Sequence, residues 1–594
     1  MKTSNIVIGK IESQQFSPIG EKFKENFLTP QGGFILACIL GMILLTRFSG
    51  GKKKQGKLAT GYFGSQKEMA RAQKKALEQI ADPKCDRVAL YIGRVKPKKK
   101  AKGQKAYRFA IPPSPKNPGR GIFYVPDVQR GTLVLGAPGS GKTVSAINPM
   151  LFSAVDRGLP IILYDFKYPS QSKVAVFAKR HGYDVRIFAP GFPESEVCNP
   201  IDFLRDANDG ENARQIGTVI NKNFKQISQG QEDAFFGPAG DQLVEAILML
   251  TKSTPYPDIM MAAQILSSEK MVQRLMAADM NPWIRQSFGQ LFSSASSEKT
   301  VAGIAGSASI MFTRFMKRNT LGCFVGQTTL PLDLKGKQLA IFGMDRERRA
   351  VCGPLLCSVM HMLIARNIAK RRQDPLVVCL DEFPTLYLPD IGKWLNESRS
   401  EGFCGILGAQ GLSQIEQNYG KENAKTITTG TNTKILFNLG EYETARSFSD
   451  FLGDEEVRFQ QKSQSQTQGK TTKSVSDQER TRRLMEASQF NKLPPGACVF
   501  ISPAYGNKDE SYVPIKKQFK LSKDQQEIEA DNERNWPKLA SWLSARSPQI
   551  LPSDEDMQRR KAAVDRLFPI PSSDDDPKAS PIGTYSDLFD RKTS

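Results

Sequence analysis

Residues 136–143 read Gly136-Ala137-Pro138-Gly139-Ser140-Gly141-Lys142-Thr143, a full match to GxxxxGK[ST]. That spacing suits the binding of phosphates. The glycines let backbone N–H groups turn inward around phosphate oxygens, where side chains would collide. Lys142 can reach the β- and γ-phosphates, and the Thr143 hydroxyl can ligate Mg2+. The preceding Gly-Thr-Leu-Val-Leu reads as a strand and the following Val-Ser-Ala-Ile as the start of a helix. The phosphates would then face a helix N-terminus, whose partial positive charge favours anions. ATP with Mg2+ is the expected ligand.

A second group completes the chemistry. Leu376-Val377-Val378-Cys379-Leu380 is an apolar strand that ends in Asp381-Glu382. Asp381 would hold Mg2+ through water, and Glu382 would activate the attacking water. Alone, such an ending is also a helix cap or a salt bridge; a complete phosphate loop upstream favours catalysis. The run Cys404–Ala409 ends in Gln410, either a γ-phosphate sensor or an ordinary loop glutamine. Arg399 lies between Glu382 and that run. It is either a solvated arginine or a finger supplied to a neighbouring subunit.

These residues need a sheet to position them. Short β-branched runs alternate with helical periods from Gly121 onward. They are Thr132–Leu135, Pro160–Tyr164, Val185–Phe188, Gln338–Phe342, Leu376–Leu380, Gly405–Gly408, Lys434–Asn438 and Ala497–Ile501. The alternation predicts a mostly parallel α/β sheet. Residues 205–325 interrupt it with helical stripes, such as Leu243, Ala246, Ile247 and Leu250, and predict an inserted all-α domain. The motor domain is accordingly assigned to 121–204 and 326–520. Residues 454–483, rich in Gln, Ser, Thr and Lys, are expected to form a mobile loop. Residues 521–594 are expected to be a disordered acidic, Pro/Ser-rich tail.

Bulk charge points to a polyanionic partner. The formal net charge is +22, which favours nucleic acid or an anionic membrane surface. Between Gly51 and Arg130 there are 21 Lys/Arg against 5 Asp/Glu. This basic region, 51–120, follows an N-terminal segment, 1–50, that holds an uncharged stretch from Asn26 to Thr46. Its 21 residues span roughly 30 Å as a helix, enough for a bilayer core. Arg47 and Lys52-Lys53-Lys54 follow, so the positive-inside rule predicts a single-pass anchor with the bulk of the chain in the cytoplasm. The nine cysteines form no CxxC pair, and two histidines are few for a zinc site. The cysteines read as small buried hydrophobes of a reducing compartment.

Several spaced motifs resemble those of the coupling proteins of type IV secretion and conjugation, the TraG/TraD-like branch of RecA-like motor ATPases. They are KLATGYFGSQKEMARA (57–72), the phosphate loop with a helix broken at Pro149, YDFKYPS (164–170), VCNPIDFL (197–204), LDEFPTL (380–386), the segment Gln410-Gly411-Leu412-Ser413-Gln414, and LPPGACVF (493–500). The resemblance implies a RecA-like P-loop NTPase fold and hexamers with ATP sites between subunits. It implies DNA held with little sequence preference, a relaxase or secreted protein as cargo, channel components as partners, and the inner membrane as location. It also implies that Gln410 senses phosphate and that Arg399 acts in trans. Two features depart from the family. One membrane run stands where two are common, and Tyr168-Pro169 replaces the usual Gly-Glu, which leaves Asp165 and Lys167 without a role. A chromosome-segregation translocase of the FtsK type and a non-hydrolysing docking scaffold are the alternatives.

Overall fold

The computed structural model describes residues 61–94, 112–228, 236–467 and 470–571. The expected anchor, Asn26–Thr46, lies outside the described residues. The chain divides into two compact units. The described part of the first is a pair of strands, β10 and β11 below; everything else described belongs to the second.

In chain order the strands are β1 (Leu90–Ile92), β2 (Phe123–Val125), β3 (Thr132–Leu135), β4 (Ile161–Asp165), β5 (Asp184–Phe188), β6 (Gln338–Gly343), β7 (Leu376–Leu380), β8 (Phe403–Ala409), β9 (Thr433–Leu436), β10 (Asp454–Thr467), β11 (Lys470–Arg483), β12 (Ala497–Ile501) and β13 (Ile515–Gln518). Nine of them form one sheet in the order β13-β12-β9-β3-β8-β7-β4-β6-β5. The seven strands from β9 to β5 are parallel. Strand β12 runs antiparallel to both β9 and β13. All eight strands expected from the sequence are in this sheet; β13 is the addition.

A sheet covered on both faces reads as continuous apolar runs. Within β3, Leu133 and Leu135 enter one core and Val134 the other. On the first face lies the helical interval between β5 and β6, which holds only helices among the described residues, from Gly210–Ser228 to Arg318–Leu321. Its stripe residues Leu243, Ala246, Ile247 and Leu250 are all buried. The Arg349–Ile368 helix packs there too. It is apolar and long enough to cross a bilayer, yet 83% of its apolar window is buried, so it is a core helix. The eight described cysteines are free and buried.

Two expectations are corrected. Within the expected loop, Asp454–Thr467 and Lys470–Arg483 form the 14-residue strands β10 and β11, which pair with each other; a polar tract without apolar alternation had hidden them. The expected tail holds two helices, Lys523–Ser544 and Asp554–Leu567. Capping boxes start both, Ser522 with Gln525 and Ser553 with Asp556. The acidic run Asp554-Glu555-Asp556 is thus a favourable first helical turn rather than a solvated tail. Ile528, Trp536 and Leu543 of the first helix are buried, as are Ala563 and Val564 of the second. The second helix docks on the helical interval through Arg560, whose Nε donates to Asp258 Oδ1 at 3.0 Å with both side chains buried.

Candidate nucleotide-binding site

The phosphate loop is held from three sides. Gly136 N donates to Ala409 O of β8 at 3.2 Å and Ala137 N to Asn438 O beyond β9 at 2.7 Å. Gly496 N donates to Ser140 O at 2.9 Å. Gly139 (φ 79°) and Gly141 (φ 91°) occupy left-handed conformations, which glycine adopts without penalty. A Cβ on Gly141 would also crowd the Gly496 amide at 3.0 Å. After the loop the chain makes a π-turn, Thr143–Ile147, and then the Asn148–Asp156 helix. The break expected at Pro149 is thus a π-turn just before it rather than an end of the helix. The proline follows on the π-turn, in a chain that is already helical at Ile147, so the helical path is irregular where the proline cannot donate.

The two halves of the expected site meet across the sheet. Thr143 Oγ1 donates to Asp381 Oδ2 at 2.6 Å. Lys142 Nζ lies 2.8 Å from Glu382 Oε1. Gln410 Nε2 donates to Glu382 Oε2 at 3.1 Å. The order β3-β8-β7 explains this convergence: Gln410 ends the strand that separates the phosphate-loop strand from the Asp-Glu strand. Burial pushes the Asp381 carboxyl above its usual range, while Lys142 and Thr143 pull it down. The hard oxygens of Thr143 and Asp381 form a donor set that fits Mg2+. The cleft lined by residues 137–144, Asp165, Lys167, Gln171, Asp381, Glu382 and Gln410 measures about 460 Å3, within the range of small-molecule sites.

Three contributions escaped the sequence reading. Glu382 has a left-handed backbone, φ 59° and ψ 39°, a strain of about 1–3 kcal/mol for a non-glycine residue. Thr385 holds it there, with its N and Oγ1 donating to Glu382 O at 2.9 and 2.7 Å. Gly408 of β8 faces the Asp381 carboxylate, and a Cβ there would collide with Asp381 Oδ1. Asp165 is buried and accepts from Lys167 N, Ser170 N, Ser172 N and Ser172 Oγ at 2.7–3.1 Å. It organises the loop that walls the cleft, with burial raising its pKa against those bonds. The Glu382 backbone and the Gly408 contact have no sequence signature, and Asp165, though inside the YDFKYPS motif, has a role that depends on the loop folding back on it.

Gly408 gives the first prediction. Gly408→Ala should fold with a lowered melting temperature, since overpacking costs about 1–3 kcal/mol. Its turnover should fall by about 10²-fold, the cost of a misplaced reacting group of about 1 Å. Thermal melting and phosphate release measure the two; unchanged turnover would mean Asp381 does not need its present position.

Arg399 stands apart from the cleft. It precedes β8 and so lies at the opposite edge of the sheet from Gln410, about 20 Å away at the strand rise per residue. Its Nε donates to Leu395 O at 3.0 Å. Burial lowers its pKa, and the neighbouring Arg130 lowers it further.

A parallel sheet with a phosphate loop after β3 and an Asp-Glu pair after β7 defines a P-loop NTPase fold of the RecA-like kind. Residues 375–495 match the family described as "TraM recognition site of TraD and TraG". The segment begins just before β7 and ends at Pro495, so it contains Asp381, Glu382, Arg399 and Gln410 but not the phosphate loop. The coupling protein TraD of Escherichia coli K12 is 34% identical over 77 residues, 13% of this chain and 11% of that protein. The match thus spans about a tenth of the curated relative. Among solved structures, the bacterial conjugative coupling protein TrwBdeltaN70 with sulphate is similar at TM-score 0.50 and 14% identity, over 73% of this chain and 94% of that one. TrwB in complex with ADP and Mg2+ is similar at TM-score 0.50 and 15% identity, over 66% and 86%. The chain is similar to the TraG/TraD-like coupling proteins, and its fold is theirs.

Proposed function

We propose that this chain is a membrane-anchored ATPase of the coupling-protein type, which recruits DNA, relaxase-bound DNA or a protein substrate and drives it into a type IV secretion or conjugation channel. The observation that carries the reading is the convergence of Lys142, Gln410 and Glu382 beside the Thr143–Asp381 pair. The likeness to TrwB, which binds ADP and Mg2+, supports ATP as the nucleotide.

The roles follow from position. The amides of residues 136–143 and the Lys142 ammonium bind the phosphates. Thr143 and Asp381 would hold Mg2+, which supplies charge neutralisation on the phosphoryl oxygens when bound. Glu382 takes the proton of the attacking water, and Gln410 orients that water from the adjacent strand. The left-handed backbone of Glu382 aims its carboxylate at the cleft in advance. Subunits assemble as a hexamer, in which Arg399 completes a neighbour's site. The uncharged run at 26–46 anchors the chain in the inner membrane.

The test is DNA-dependent turnover by the full chain in detergent. DNA should stimulate ATP hydrolysis with little sequence preference. Its apparent affinity should fall linearly with salt in log–log form as counterions are released. If DNA neither binds nor stimulates at low salt, the cargo is protein alone.

A further inference from the structure

A second cavity begins where the nucleotide cleft ends. Along the phosphate loop and π-turn, the cleft lining runs to Val144, and the next residue, Ser145, lines a cavity of about 250 Å3. This cavity lies on the other side of the phosphate loop from the Asp-Glu pair. One of its walls is the chain from Lys517 to Gln525, which leaves β13. Gln518 of β13 pairs with Ala497 of β12, directly after Gly496, whose N donates to Ser140 O. In the sheet, β12 and β13 lie on the β9 side of β3, while β8 and β7 lie on the other.

The walls combine apolar surface with two open polar groups. Ile92, Phe123 and Leu521 line the cavity, and Phe123 is held edge-on against Phe519 at 5.2 Å. Gln525 is 5% exposed and Ser145 7%. The capping box of the Lys523–Ser544 helix fixes which way the Gln525 amide faces. Ser522 N donates to its Oε1 at 3.0 Å, so Nε2 is the atom presented. No described residue accepts from that Nε2 or bonds the Ser145 Oγ, and neither atom is closed off from water. Among the described residues no acidic side chain lines the cavity, whereas Lys517 and Lys520 do. The cavity therefore offers hydrogen-bond donors between apolar walls, which suits a flat heterocycle with ring-nitrogen acceptors.

The phosphates decide which heterocycle reaches it. Hydrolysis needs the γ-phosphate beside Glu382 and Gln410, on the β7 and β8 side. The remaining phosphates then run back along the loop, and the nucleoside leaves past Val144 toward Ser145. We infer that this cavity holds the base of the bound nucleotide, and that Gln525 of the Lys523–Ser544 helix is its positioning residue, with Nε2 donating to a ring nitrogen. The inference rests on reading the cleft as the ATP site. It brings a residue far along the chain into nucleotide binding without any contact with the phosphates.

The experiment compares ADP with pyrophosphate on the full-length protein in detergent with Mg2+, by titration calorimetry. The two probes share their phosphates and differ by the nucleoside. Gln525→Glu keeps the side-chain length, and a glutamate there still accepts from Ser522 N, so the capping box and the fold survive. It turns the presented donor into an acceptor. ADP should bind about 10-fold more weakly, the effect of leaving a buried polar group unmet, while pyrophosphate affinity stays within about twofold of wild type. Leu521→Trp, which fills the cavity from its rim, should give the same selective loss. ADP affinity within about twofold of wild type in Gln525→Glu overturns the inference. So does an equal loss of ADP and pyrophosphate, which would mean that the substitution disturbs the phosphate loop instead. A Leu521→Trp protein that binds ADP as wild type does places the base outside this cavity. Failure of the underlying reading looks different: the wild type would bind neither probe.

Discussion

Glu382→Gln is expected to bind ATP and to hydrolyse it about 10²- to 10⁴-fold more slowly than wild type, the range a positioned general base contributes. The substitution changes charge and proton affinity with almost no change in shape. Lys142 Nζ at 2.8 Å and Gln410 Nε2 at 3.1 Å both point at the Glu382 carboxylate. An amide can accept from only one of them, so the other contact becomes donor against donor. Phosphate binding survives because the loop amides and Lys142 are intact. The comparison variant is Lys142→Ala, which should lose nucleotide binding as well as turnover. Equilibrium binding of a fluorescent ATP analogue separates the two, and phosphate release measures turnover. Glu382→Gln turnover within threefold of wild type would assign water activation to another group.

The contrast between these variants shows which parts of the site were legible in the sequence. The phosphate loop could be read because its chemistry is backbone chemistry, and glycine spacing records it directly. The Asp-Glu pair could be read because β7 is buried on both faces and leaves an uninterrupted apolar run before it. Gln410 needed one more fact, that β8 lies between β3 and β7, and strand order is not written in local sequence. Gly408 is further removed. Its role exists only because β7 and β8 pair in the register that sets Leu380 opposite Leu407. The strained backbone of Glu382 is invisible for a similar reason, since Thr385 imposes it from outside the residue. Gly496 comes from the far end of the fold to touch Ser140 and Gly141. The C-terminal helices were hidden by composition, because acidic residues and prolines resemble a solvated tail until their capping positions are counted. Asp165, without a role in the sequence, proves to be a loop organiser whose four donors come from the seven residues after it.

Arg399→Ala is expected to bind ATP nearly as wild type does and to lose about 10³- to 10⁵-fold in turnover, the range seen where arginine fingers operate. Position makes the case. Arg399 lies at the edge of the sheet opposite its own cleft, so it cannot serve its own nucleotide. Its guanidinium is partly buried beside Arg130, and no acidic side chain pairs with it among the described residues. Two neighbouring cations without a counter-charge among the described residues form a surface suited to an anion from outside the chain. In the proposed ring, with ATP between subunits, the neighbour's γ-phosphate would be that anion, and charge developing there would meet Arg399. Mixing gives the decisive measurement. Arg399→Ala subunits carry an intact phosphate loop, and Lys142→Ala subunits carry an intact arginine. Each alone should be inactive, and co-assembled rings should regain turnover at interfaces where the intact loop meets the intact arginine. A mixture that stays inactive while the two proteins demonstrably co-assemble removes Arg399 from the site. The next candidate would then be Arg349. It donates to Thr385 O at 2.7 Å and has a buried Nε without a partner, which places it beside the Glu382 turn in its own subunit. Arg349→Ala would then be inactive in a way that no mixture restores.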